Sequence, residues 1–139
     1  MADEICAVRY AYVVVKNQPG EGAKVARALK GAGVNLLALS GFPVGAAKAQ
    51  IDFVTQDIDA LKRVAKAAKW KLSSAKKAFL VQGDDRIGAV ADVIGKLADA
   101  KINIISVQAV AAGAGRYGAI VWVKPASFAK AAKVLGVVG

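Results

Sequence analysis

Histidine is absent from the 139 residues, and cysteine occurs once, at Cys6. Without an imidazole, neither a Ser-His-Asp nor a Cys-His relay can be assembled within one chain. A zinc site would have to use carboxylates and that one thiolate, and no cluster of them occurs along the sequence. A lone cysteine also excludes an intramolecular disulfide. Cys6 lies in an apolar stretch and is expected to be a small buried or half-buried side chain. Long apolar runs are missing too. Stretches 102–112 and 117–123 fall well short of the ~20 residues that a membrane span requires. The opening Met1-Ala2-Asp3-Glu4 is acidic and has no basic-then-apolar signal pattern, so a cytoplasmic protein is expected. No nucleophile elbow and no phosphate-loop motif occurs. Asp84 and Asp85 are a carboxylate pair in sequence only, which does not define an acid/base site. The expectation is a chain that is not an enzyme, with no metal and no cofactor.

Acidic residues number half the basic ones, 10 against 20, for a net charge of +10. The excess is even: residues 1–75 hold 11 basic and 6 acidic groups, and residues 76–139 hold 9 and 4. A nucleic-acid arm would concentrate it. An even spread reads as lysine-rich solvated helix faces, and nucleic acid is not an expected partner. Apolar residues make up 56% and the mean hydropathy is +0.43, enough for a packed core.

A repeat organises the chain. Residues 12–39 match residues 80–107 at an offset of 68. Gly20 falls on Gly88, Val25 on Val93, Leu29 on Leu97 and Ala32 on Ala100. Val34-Asn35-Leu36 falls on Ile102-Asn103-Ile104, and the Gly-to-Asn interval is 15 in both copies.

Residues 8–16, rich in β-branched and aromatic side chains, predict a strand. Asn17-Gln18-Pro19-Gly20 is turn chemistry. Residues 21–32 predict a helix with Val25, Ala28, Leu29 and Ala32 inward, closed by Gly31 and Gly33. Strands are expected at 34–42 and 47–55, a helix from Asp57 or its neighbour, and a strand at 70–74. The second copy predicts strand 77–82, loop 83–87, helix 88–100, strands 102–111 and 116–124, and helix 126–135 opened by Pro125. Only Val137-Val138-Gly139 remain for the last strand. The second copy therefore has a truncated closing strand or borrows one, and residues 4–8 are a candidate lender. The fold class is α+β: two ferredoxin-like βαββαβ units with antiparallel sheets, at residues 5–75 and 76–139. Both faces of strand 116–123 are apolar, so both should be covered.

Asn17-Gln18-Pro19-Gly20, a helix, then Gly33-Val34-Asn35-Leu36 resembles the ACT-domain signature. Asp84-Asp85-Arg86-Ile87-Gly88 with Ile102-Asn103-Ile104 resembles a second, degenerate copy whose loop lacks the proline. The whole chain is similar to stand-alone tandem ACT proteins. The resemblance implies binding of a small effector, an amino acid above all, between the first loop of one unit and the second strand of its neighbour. It also implies a homodimer and a regulated enzyme acting in trans. The residues suit that use: a glycine at a helix start lets a ligand approach backbone N–H groups at the positive end of the dipole. On this reading Asn17, Gln18 and Gly20 act with Asn35 or Asn103. Asp84 or Asp85 would hold an ammonium group, and Arg86 beside Gly88 a carboxylate.

Two other readings stay open. RNA-recognition modules share the βαββαβ order, and Tyr10, Tyr12 and Arg116-Tyr117-Gly118-Ala119-Ile120-Val121-Trp122 invite that comparison. The expected Lys/Arg-Gly-aromatic order is broken, however, and Tyr117 and Trp122 face opposite ways. An assembly role with vestigial sites is the other. Each glycine and asparagine named above also has a structural use, as a turn former or a cap.

Overall fold

The computed structural model describes residues 3–137. Ten elements follow one another: β1 (Glu4–Lys16), α1 (Glu21–Gly31), β2 (Ala38–Val44), β3 (Lys48–Thr55), α2 (Ile58–Ala68), β4 (Lys76–Asp84), α3 (Ala89–Asp99), β5 (Ile104–Gly113), β6 (Arg116–Val123) and α4 (Pro125–Leu135). They form two compact units, Arg9–Lys76 and Lys77–Gly139 together with Met1–Val8. The α+β class, the ferredoxin-like order and the antiparallel pairing are all present.

In the first unit the strand order is β2-β3-β1. Along β1, Ala11 and Val13 point inward and meet Phe53 and Ile51 of β3 in register. Val25 and Leu29 of α1 and Ile58 and Leu61 of α2 close that core. Helix α1 ends in a Schellman-type turn, with Val34 N–H donating to the Leu29 carbonyl at 3.0 Å and Gly33 left-handed at φ 73°. Asp57 caps α2, its carboxylate accepting from the Ala60 N–H at 3.0 Å.

Two expected strands differ. The second begins at Ala38, not at 34. Val34 and Leu36 pack against the core, and the Asn35 carbonyl accepts from the Thr55 hydroxyl at 3.2 Å, so side-chain bonding replaces ladder bonding there. Residues 70–74 are not a strand. They run beside β1, but the Tyr12 N–H donates to the Ser73 hydroxyl oxygen (2.9 Å), not to a carbonyl. Trp70 there stacks on Phe53, ring centroids 6.1 Å apart.

In the second unit β5, β6 and β4 follow in order, with β1 next to β4. Phe79 and Val81 of β4, Val93 and Leu97 of α3, Val121 of β6 and Leu135 of α4 form its core, and Ile5 of β1 packs on it. Phe128 of α4 stacks on Phe79, ring centroids 4.4 Å apart. Among the described residues no strand follows α4, and Val138 and Gly139 lie outside them. The start of β1 takes the vacant place, and β1 is accordingly longer than the 8–16 expected. Cys6 is exposed, against the expectation of burial, because it alternates with the inward-facing Ile5. Ile120 and Trp122 are buried, as are Ala119 and Val121 on the opposite face of β6.

The repeat extends to the backbone hydrogen bonds. Asn17 N–H donates to the Ala47 carbonyl and Asp85 N–H to the Gly115 carbonyl, both at 2.9 Å and both related by the offset of the sequence repeat.

Candidate functional site

Each unit turns from its first strand into its first helix through a loop that ends on a left-handed glycine. Gly20 has φ 90° and Gly88 φ 80°. A side chain resists that conformation, so glycine is the residue the turn needs. Neither helix has a side-chain cap on its N-terminus. The first-turn N–H groups there carry the positive end of the helix dipole without a side-chain acceptor.

A depression adjoins each loop. Beside the first it holds about 530 Å³ and is lined by Val14 to Gln18 with Ala47 and Lys48. Beside the second it holds about 290 Å³ and is lined by Asp85, Arg86, Gly88, the first turn of α3, Ala109 to Ala111 of β5, and Tyr117. Asn17 and Gln18 are therefore together, with Gly20 further along the same loop and outside that lining, whereas Asp85, Arg86 and Gly88 all line the second depression. Asp84 stands at the end of β4, where Arg116 donates to its carboxylate at 2.8 Å.

The asparagines are elsewhere in their own units. Asn35 lies past the far end of α1, about 16 Å of helix away for 11 residues, lining a separate depression of about 210 Å³ with Thr55 and Asp57. Asn103 is exposed just before β5. Neither joins the loop of its own unit.

Arg86 is heavily engaged. Nη1 and Nη2 donate to the two carboxylate oxygens of Asp3 at 3.1 and 3.4 Å, and Nη2 also to Asp92 at 3.1 Å. Nη1 further donates to the Asp84 carbonyl at 3.1 Å. The bonds to Asp3 and then Asp92 raise the pKa of Arg86 above its ordinary value. Burial works to raise that of Asp3, but the bonds from Arg86 and Tyr117 and the charges of Arg86 and Lys96 outweigh it, and the net shift is downward. Burial, then the neighbouring Asp3 carboxylate, pushes the Tyr117 phenol up to about 12. Its oxygen is buried beside that carboxylate. Asp3, Asp92 and Tyr117 are thus site residues that local sequence patterns do not reveal: Asp3 and Arg86 are separated by 83 positions. Tyr117 and Trp122 are each 5% exposed, so neither ring is open for stacking on a base. Among the described residues no cluster of His, Cys, Asp and Glu could hold a metal, and no helix is long and apolar enough to cross a membrane.

No protein-family model matches the chain, and no curated protein matches it. Solved structures do. A protein from Bacteroides thetaiotaomicron matches with TM-score 0.81 at 18% identity, over 95% of this chain and 88% of that one. The ligand-free regulatory subunit of aspartate kinase from Thermus thermophilus matches with TM-score 0.60 at 19% identity, over 97% and 93%. That from Thermus flavus gives 0.58 at 20%, over 97% and 94%. The fold of this chain is therefore one found in regulatory subunits, in agreement with the tandem ACT resemblance.

Proposed function

We propose that this chain is a non-catalytic regulatory module that binds a small molecule with an amino-acid head group at its glycine-led loops. One observation carries the reading: both units present a helix N-terminus without a side-chain cap behind a left-handed glycine, and in the second unit that N-terminus lines a depression together with Asp85 and Arg86. A ligand carboxylate fits free N–H groups at such an end. Asn17 and Gln18 in one loop and Asp85 in the other offer partners for an ammonium group. That the Thermus chains of the same fold are regulatory subunits of aspartate kinase supports the regulatory part, with this chain acting on an enzyme in trans.

The module works as a homodimer. Strands β2 and β5 are the outer strands of their sheets and expose Leu39, Phe42, Val44, Ile105 and Val110. An apolar edge without charge invites another strand. The second depression is walled by β5 itself, so a second copy pairing there would close it and could bring an asparagine to the loop. A seam of that kind is where Asn35 or Asn103 would act.

Isothermal titration and thermal melting with each of the twenty amino acids test the reading. At 100 times the dissociation constant, a ligand specific to the folded state adds about 2.7 kcal/mol of stability. Silence from all twenty, in heat and in melting temperature, would refute amino-acid binding and leave an assembly role. Sedimentation equilibrium tests the dimer.

A further inference from the structure

Arg86 separates two depressions of the second unit. On one side is the loop depression with Gly88 and Tyr117. On the other is a depression of about 360 Å³ that includes Asp3, Asp92 and Lys96. We propose that the Asp3 carboxylate is a built-in occupant of the Arg86 guanidinium, and that a ligand carboxylate gains Arg86 only by displacing the start of β1. The proposal rests on the carboxylate-binding reading above and names how that site is regulated.

The geometry is that of a substitute ligand. Two guanidinium nitrogens meet the two oxygens of one carboxylate, the fork-to-fork arrangement by which arginine recognises free carboxylates. Asp3 is tucked in, its side chain 9% exposed, whereas that of Asp92 is 64% exposed. Gly83 makes the room. A Cβ there would collide with the Asp3 carboxylate and come within 2.9 Å of the Tyr117 ring. Gly83 lies outside the left-handed region, so the close approach of Asp3, not the backbone, calls for glycine.

The duplication does not account for this group. The positions matching Gly83, Arg86, Asp92 and Tyr117 in the first copy are Val15, Gln18, Lys24 and Ala49. The latch thus belongs to one loop only, and the two loops differ in control. Its consequence is structural, because the residues that Asp3 anchors are those that complete the sheet of this unit. Occupancy of the loop by a carboxylate is thereby coupled to docking of a strand.

Hydrogen–deuterium exchange over residues 3–8 of the full chain reads that docking directly. Asp3→Asn removes the charge, and Gly83→Ala expels the carboxylate while leaving every charge in place. Each should raise exchange there roughly tenfold, as expected for loss of a charge-assisted bond. Acetate, compared with chloride at the same concentration, should raise exchange in the wild type and add nothing in Asp3→Asn. Wild-type exchange in both variants, or no response of the wild type to acetate, overturns the proposal. An acetate response in a chain that binds none of the twenty amino acids would sink the amino-acid reading and leave the latch standing.

Discussion

One substitution, glycine to alanine, should have opposite signs at two positions of one segment. Gly88 precedes α3 with φ 80°, and Gly95 lies inside that helix. An added Cβ meets no heavy atom within 4 Å at either place, so sterics with the rest of the molecule drop out and only backbone preference remains. At Gly88 an L side chain must adopt the left-handed region, at about 1–2 kcal/mol. Part of this is offset because alanine restricts the unfolded chain more than glycine does, which leaves a loss of about 1 kcal/mol. At Gly95 the same restriction favours the helix, and alanine gains about 1 kcal/mol. The two variants should differ by about 2 kcal/mol. With a urea dependence of about 2 kcal/mol/M, their midpoints should lie about 1 M apart on either side of the wild type, read by far-ultraviolet circular dichroism. The positions are about 10 Å apart along the axis, so the double variant should return close to the wild-type midpoint. A Gly88→Ala protein as stable as the wild type would refute the account of why both loops end in glycine.

Two further outcomes test the first unit. Asp57→Ala removes the only side-chain acceptor described for α2 and should cost about 1 kcal/mol, a fall of roughly 3 °C in melting temperature. Asp52 is buried, and that burial raises its pKa against the opposing bond from Gln50. A carboxyl with a raised folded pKa binds its proton more tightly when folded. The stability this contributes is full below the unfolded pKa of about 3.9 and is lost as pH rises through the folded value. Asp52→Asn should therefore be more stable than the wild type near neutral pH, with the gap closing towards about pH 4 in melting scans. A gap independent of pH would show that the charge carries no burial cost.

Much of the fold is legible because its determinants are local. The helical spacing of Val25 and Leu29, and of Val93 and Leu97, predicts α1 and α3. Asp57 marks the start of α2, and Pro125 that of α4. The internal match predicts the same glycine-led loop and first helix in both halves, and the structure extends it to paired turn bonds at Asn17 and Asp85. Strand edges are less legible. Val34 and Leu36 carry strand-like residues, yet core packing and the Thr55 hydroxyl hold them outside the ladder. Of the loop residues, sequence places Gly20 and Gly88 at helix starts because only glycine suits the turn. It says nothing of how Arg86 is occupied.

Residue order alone determined the duplicated α+β plan, the two glycine-led loops and the absence of imidazole chemistry, since each depends on periodicity, turn chemistry or composition within a short window. Tertiary structure decided between the two options the sequence left for the second unit, a truncated last strand or one lent by residues 4–8, and it alone brought Asp3 to Arg86 and required Gly83 to lack a side chain. Such pairings join distant parts of the chain, and only the closed sheet brings those atoms within bonding distance.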